Sequence, residues 1–428
     1  MQNYGKFYQK PWKERINLIS QNEKLTKDQI QILKSSAQNR FLGDTMIENY
    51  ITDYSYPEGI AFHYLVNNKD YLVPMVTEEP SVIAASSHGA SIIAKAGGFV
   101  ASTSERLMIG QIILENVEDS KKLILEIKEL TKNLLSVADR AHPSLKRRGG
   151  GARWLKTRIL AKDLVAIDIA IDVQEAMGAN MINTMLEAVA KKLEEVLNQQ
   201  VLMSILSNYA TECLAKTTCK IPFELLSRNG IAGEIIAKKI AQAGRVAQLD
   251  TYRAATHNKG IMNGIDAVVM ASGNDWRAIE SGAHAYAARN GQYRGLSTWK
   301  LSGGYLIGEL ELPLPVGFVG GSIGIVPLVS INQKLMKITS ARELESIIVS
   351  VGLAQNLAAL LALVSEGIQK GHMRLQLKSL VIAAGADATE EDAIVDRMLQ
   401  EGKRDADSAK KILRDYRKRD KNDRSQLE

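Results

Sequence analysis

The sequence predicts an α+β protein: a large helix-rich domain, a small inserted domain of order βαββαβ, and a C-terminal helical segment. Three observations predict this. Between residues 104 and 206 the text runs strand, helix, strand, strand, helix, strand, the order of a ferredoxin-like split βαβ unit. On either side, apolar residues recur mostly at helical spacing. Beyond residue 375 the chain turns charged, with two short helical periods behind the small-residue link IAAGADAT. The domain boundaries drawn from this are 1–104 with 209–374, 105–208, and 375–428.

Taken in order, Thr26 and Gln29 have capping-box spacing ahead of a helix reaching about Ser35. IAFHYLV and YLVPMV, split by NNKD, predict a hairpin. Pro80 suits the first position of the helix SVIAASSHGASIIAKA, and Gly97-Gly98 suits its stop. Glu79 then sits at or next to the N-cap. The small residues of that helix imply close approach by other backbone. Ser104–Val117 reads as a strand and Glu118–Arg140 as an amphipathic helix, followed by the basic turn HPSLKRRGGG. Ala152–Leu160 and Leu164–Val173 read as a hairpin. Its second strand sets Ile167, Ile169, Ile171 and Val173 on one face, with Ala166, Asp168, Ala170 and Asp172 on the other. Met181–Leu197 is a helix and Val201–Leu206 a last strand. The chain then returns to helices. Asp275–Ala288 is helical with Asp275 near its start, glycine- and proline-rich strand text reaches Leu328, and Ser340–Lys370 is helical and apolar. The tail helices are Glu390–Gln400, with Thr389 as N-cap, and Ser408–Lys418, before a frayed end.

The 45% apolar and 24% charged composition is that of a globular protein. A net charge of +6 permits polyanionic ligands without arguing nucleic-acid binding. Cys213 and Cys219 stand in no metal-ligand pattern, and neither HExxH nor a His/Cys cluster occurs, so no metal is expected. So few cysteines fit a reducing compartment. The start, MQNYGKFYQKPWKERI, lacks the apolar core of a signal peptide. The longest uncharged run, Leu312–Gln333, is broken by Pro313, Pro315, Pro327 and four glycines. No membrane span and a cytoplasmic location are expected. With no GxGxxG, a nicotinamide cofactor would need a non-Rossmann site.

Thr251–Arg277 is the stretch richest in chemistry. It interleaves Arg253, His257, Asn258, Lys259, Asn263, Asp266, Asn274, Asp275 and Arg277 with apolar and small residues, as in a half-buried element. Such groups are costly to bury alone. They make either a site for an anionic substrate or a structural ion-pair network. EAMGAN, residues 175–180, offers small residues and a following helix N-terminus, either an anion site or a tight strand-to-helix turn. His142–Arg148 is either a solvated basic loop or a phosphate contact. His63, His88 and His284 read as structural, whereas His257 stands near enough to Lys259 to support it.

RAATHNKGIMNGID followed by ASGNDWR resembles the 3-hydroxy-3-methylglutaryl-CoA (HMG-CoA) reductases, specifically their soluble bacterial class, class II. MIENYI, VPMVTEEPSVIAA, EAMGANMINTM, LPVGFVGG, VGLAQN and EGIQKGHM match in the expected order, so the resemblance spans nearly the whole chain. It implies a four-electron reduction of HMG-CoA to mevalonate and CoA, through mevaldyl-CoA and mevaldehyde. In that scheme Lys259 steadies the carbonyl oxyanion and Glu79 delivers protons. Asp275 orients Lys259 and couples it to Glu79, and His372 protonates the departing thiolate. Glu79 must then stay partly protonated: burial and a neighbouring carboxylate raise its pKa, whereas a helix N-terminus lowers it.

The substrate's carboxylate and hydroxyl fall to Arg253, Ser81 and Asn263. Glu175, Met177, Gly178, Asn180 and Asn208 come near the dinucleotide. His142, Ser144, Lys146 and Arg147 face the adenosine ribose, and the absence of a carboxylate in that loop favours NADPH over NADH. The resemblance further implies a homodimer with its site between subunits and a tail that closes as a lid. Tyr50 and Thr52 depart from the family's ENVIG, which here reads ENYIT. Two alternatives remain: the same fold oxidising mevalonate with NAD, and a non-catalytic polyanion binder resting on the KRR and RKRDK runs. The second leaves the polar stretch unexplained.

Overall fold

A computed structural model describes residues 4–365, 377–387 and 389–425, with side chains through Lys418. The first 57 residues form a compact unit by themselves. It holds helices α1 (Trp12–Asn22), α2 (Lys27–Ser36) and α3 (Arg40–Met46) around Trp12, Ile16, Ala37 and Tyr50. The capping box forms: Thr26 Oγ1 accepts from Gln29 N–H, and Gln29 Oε1 from Thr26 N–H. Tyr50 is buried, its hydroxyl donating to Asp53 at 3.1 Å, while Thr52 donates to the Leu33 carbonyl at 3.0 Å. The two departures from ENVIG therefore serve this small core.

The second unit begins with the hairpin β1 (Glu58–Val66) and β2 (Lys69–Val76). Asn67 and Asn68 both take positive φ, as a two-residue type I′ turn demands. Helix α4 runs Val82–Lys95. It starts two residues later than Pro80 predicts, because Ser81 adopts a left-handed conformation (φ 75°) and is itself the N-cap. Gly97 and Gly98 stop it as expected.

The ferredoxin-like unit is present. β4 (Leu107–Leu114), β5 (Gly151–Ala161), β6 (Leu164–Asp172) and β7 (Val201–Glu212) make an antiparallel sheet of order β5-β6-β4-β7. Helices α5 (Ser120–Ala141) and α7 (Ala179–Leu197) cover one face, where Ile167, Ile169, Ile171 and Val173 join Ile127, Leu134, Val189 and Leu193. On the other face Asp168 is held by Arg158 and Gln111. A short helix, α6 (Pro143–Arg147), turns what reads as a loop into a defined corner.

A second four-stranded sheet was not foreseen. It has the order β3-β8-β10-β9, from β3 (Val100–Thr103), β8 (Leu214–Pro222), β9 (Ser297–Ser302) and β10 (Tyr305–Pro313). Strand β8 buries Ala215, Thr217, Cys219 and Ile221 in strict alternation, but two of those four are not strongly apolar, so its period is faint in the text. Against this sheet pack α8 (Gly233–Leu249), α10 (Trp276–Ala287) and α12 (Ala341–Val364), while α9 (Thr251–Ala271) packs on α8, α12 and β2, and α11 (Pro327–Met336) on β2. Helix α12 is long and apolar enough to cross a membrane, yet most of it is buried inside the protein, so it is a core helix.

In the tail, residues 377–383 are helical and pack with the helices Glu391–Gln400 and Ala406–Ser425 around Val381, Ile394, Met398 and Ile412. Thr389 does not cap: Asp387 accepts from the N–H groups of Thr389 and Glu390 instead. The last helix starts at Ala406 and continues to Ser425 rather than fraying near Lys418.

The close approach implied by the small residues of α4 is real. A methyl at Gly89 would overlap the carbonyl oxygen of Ala354 in α12. Because backbone cannot yield as a flexible side chain can, Gly89→Ala should destabilise the protein by about 1–3 kcal/mol. Urea unfolding checks this, and an unchanged midpoint would contradict the packing.

Candidate active site

Helix α9 carries the centre of the site. Asp250 caps it by accepting from Arg253 N–H at 2.8 Å. At about 100° per residue, Lys259, Asn263, Asp266 and Met270 fall on one face. Lys259 Nζ donates to Glu79 Oε2 at 2.7 Å, and Asn263 Nδ2 lies 3.4 Å from the same oxygen. Glu79 comes from the segment joining β2 to α4, its N–H donating to Thr77 Oγ1. The Lys259 side chain is 61% exposed and that of Glu79 41%. A pair so open contributes at most about 1 kcal/mol to stability, so folding alone does not require it. Two residues along the chain, Ser81 has a buried hydroxyl with no hydrogen-bond partner among the described residues. A non-glycine residue in left-handed backbone with an unpaired hydroxyl is a functional signature.

Arg253 is not brought to this pair. It stands about 120° around the helix from Lys259, half-buried, and burial disfavours its charge. His257 does not support Lys259 either. It is buried against Ser297 Oγ (2.7 Å) and Asn356 Nδ2 (3.3 Å), on the core side of α9. Asp275 also departs from expectation. It caps α10, accepting from the N–H groups of Arg277 (3.0 Å) and Ala278 (3.2 Å), and pairs with the Arg277 guanidinium. Burial works against its charge, but these donors outweigh it and hold the carboxyl below the ordinary range. Within one chain Asp275 contacts neither Lys259 nor Glu79. His372 lies outside the described residues.

Asp275 instead lines a cavity of about 830 Å³, whose walls are three chain segments, 173–181, 273–275 and 317–323. Helix α7 presents its N-terminus there. Gly178 is its N-cap with φ 85° and no side-chain cap, so the first-turn N–H groups have no intrahelical acceptor. Met177, Met181, Val319 and Ile323 supply apolar lining and Arg148 a cation. The walls are tied together. Asn274 Nδ2 donates to the Gly317 carbonyl (3.0 Å) and Gly317 N–H to Asn274 Oδ1 (2.7 Å). Phe318 N–H donates to the Glu175 carbonyl at 2.7 Å.

Of the residues expected near a dinucleotide, Glu175, Met177, Gly178 and Asn180 line this cavity. Glu175 turns its carboxylate away, accepting from Ala341 N–H at 2.6 Å. Asn208, on β7, is exposed and outside the lining, its carbonyl packed against Gly282. The basic loop differs more. Ser144 Oγ and His142 Nδ1 lie 3.3 Å apart, and Lys146 pairs with Asp139 at 2.5 Å. A carboxylate does stand beside this loop, brought by the preceding helix and partly neutralised. Of His142–Arg148, only Arg148 lines the cavity. Arg148 and Asn274 are thus wall residues to which the sequence assigned no individual role. Asp266 is another residue passed over. It is half-buried against Glu280, which pairs with His284, and burial followed by the Glu280 carboxylate raises its pKa.

A sequence profile described as Hydroxymethylglutaryl-coenzyme A reductase matches residues 11–377. The chain belongs to that family. A 3-hydroxy-3-methylglutaryl-coenzyme A reductase of Archaeoglobus fulgidus is 38% identical over 95% of this chain and 93% of its own length. A probable one of Borreliella burgdorferi is 35% identical over 88% of each. Among solved structures, the class II HMG-CoA reductase of Streptococcus pneumoniae, bound to NADPH in open conformations, is 48% identical with a TM-score of 0.76. It covers 95% of this chain and 100% of that one. The protein is therefore an oxidoreductase, an HMG-CoA reductase of class II. Among the described residues of this reductase, no group of three His, Cys, Asp or Glu is placed to hold a metal ion.

The buried histidine of α9 makes a pH prediction. Burial, then the Arg253 charge, lowers the His257 pKa from 6.5 to about 4. The depressed value means stability is fully present above pH 6.5 and lost as pH falls towards 4. At pH 5 the loss from this group is about 2 kcal/mol. Thermal melts between pH 7.5 and 5 should show a fall in Tm that His257→Gln flattens. Equal slopes for both proteins would contradict it.

Proposed function

We propose that this reductase converts HMG-CoA to mevalonate and CoA with NADPH, in two successive hydride transfers. The observation carrying this reading is the Lys259–Glu79 pair, with Asn263 on the same carboxylate oxygen. The pair sets a cation and a carboxyl oxygen at one point, the two groups that a carbonyl becoming an alkoxide requires for charge stabilisation and proton exchange. Lys259 holds the developing oxyanion and Glu79 exchanges the proton. Ser81, with its unpaired hydroxyl, and Asn263 hold the substrate's polar groups, with Arg253 available to its carboxylate. His372 protonates the thiolate of CoA.

The cavity fits a dinucleotide. Its volume, apolar lining, Arg148 and the uncapped N-terminus of α7 suit a flat ring system joined to phosphates. When bound, the reduced nicotinamide supplies hydride to the carbonyl carbon. Met177, Met181, Val319 and Ile323 would exclude water from a ring held there, and Asp275 lines the same cavity. The assignment of 105–208 as the cofactor domain and of 375–428 as a lid belongs to this reading. So does a homodimer with its site between subunits, which accommodates the separation of Asp275 from Lys259 within one chain. The buried, free cysteines fit a reducing, cytoplasmic location.

Cofactor oxidation with HMG-CoA, run in parallel with NADPH and NADH, tests the reading. Two NADPH consumed per CoA released, with NADH slower, is the expected result. Faster turnover with NADH would sink the cofactor choice, and none with either would sink the reaction. Lys259→Ala and Glu79→Gln should each lower kcat by about 10²–10⁴ and leave Tm nearly unchanged, since the pair is exposed. Activity near wild type in either would remove that residue from the mechanism.

A further inference from the structure

The most deeply buried ion pair among the described residues lies outside the site. Arg106, just before β4, is 3% exposed and holds φ 59°, a left-handed conformation for a non-glycine residue. Its Nε donates to Glu345 Oε1 at 2.5 Å, its Nη1 to the Gln174 carbonyl and its Nη2 to the Val316 carbonyl. Those acceptors sit on three separate segments. Gln174 is the second residue of the first cavity wall and is followed by Glu175. Val316 immediately precedes Gly317 in the third wall. Glu345 lies in the second turn of α12, whose first N–H is capped by the Glu175 carboxylate. The second wall joins through the exchange between Asn274 and Gly317. All three walls are thus fastened, directly or at one remove, to a single guanidinium.

Only arginine can do this, because its planar fork directs several donors at fixed angles, whereas lysine is a point charge. The arrangement is costly. Glu345 is 1% exposed, and its Oε2 has no hydrogen-bond partner among the described residues. The Cys213 thiol adds one weak donor to Oε1 at 3.6 Å. Burial raises the Glu345 pKa to about 7 against the pull of Arg106. A buried ion pair is poor value for stability alone, and geometry is its better-founded use.

We propose that Arg106, with Glu345 as counter-charge, is a positioning residue that sets the spacing of the dinucleotide cavity's walls. This rests on the reading of that cavity as the nicotinamide cofactor's site. The cavity is shaped by backbone, and a wall displaced by one ångström changes what the N-terminus of α7 can reach.

The test compares wild type with Arg106→Lys, both shown folded by circular dichroism. NADPH and NADH binding are titrated by fluorescence, and KM is measured separately for cofactor and for HMG-CoA. The expected result is a rise of about tenfold in NADPH Kd and KM, with HMG-CoA KM changed less than twofold. Hydrogen exchange should quicken in 173–181 and 317–323 and stay unchanged within α9. A merely structural strut would quicken exchange throughout and shift both KM values together, and that outcome overturns the proposal. If Arg106→Lys does not fold, Glu345→Gln is read in the same way. It should raise the NADPH Kd by at least about threefold, and any smaller change overturns the proposal. Wild type that binds neither NADPH nor NADH would sink the cavity reading and this inference with it. Binding by wild type that the folded variant fully retains would sink this inference alone.

Discussion

Three helices pressed together through their glycines set everything else. Helix α12 is buried on almost all sides, as a helix apolar all round must be. Gly89 of α4 meets the backbone of Ala354. A methyl at Gly264 of α9 would sit 2.9 Å from Val351, and one at Gly352 would sit 2.8 Å from Ile265. The approach fixes α4 and α9 against a common partner. Glu79 enters α4 and Lys259 rides on α9, so their 2.7 Å contact follows from the packing of helices whose buried faces carry no chemistry. The exposed pair is held by a dry core, not by its own attraction.

The cavity follows a different rule. Without a glycine-rich Rossmann turn, its walls come from the strand-to-helix turn at 173–181 and two loops of the large core. Polar groups within the walls satisfy one another, as Asn274 does with Gly317 and Glu175 with Ala341. Such mutual satisfaction leaves few free side chains in the pocket. What remains for an anion is the uncapped end of α7 and one arginine.

Much of the fold was legible. The alternation in Leu164–Val173, the capping box at Thr26 and the asparagine turn between β1 and β2 each express a local rule. Strands β3 and β8 were not legible, because Thr217 and Cys219 blur the apolar period of β8 and β3 has only four residues. Ser81 displaced a proline-based helix start because its left-handed backbone is set by the tight entry to α4. In the site, Glu79, Lys259, Asn263 and the 175–180 turn were nameable from motif text. Arg148, the turned-away carboxylate of Glu175 and the core role of His257 were not, since each depends on which side of its element faces inward.

The sequence by itself determined the kind and order of most elements and the residue types available for carbonyl chemistry, because periodicity and capping act over a few residues. Tertiary structure alone decided which of those residues meet. Glu79 and Lys259 are 180 positions apart, and Arg106 binds Gln174, Val316 and Glu345 across the chain. Contacts of that range are set by how faces pack in three dimensions, and no local pattern in the chain records them.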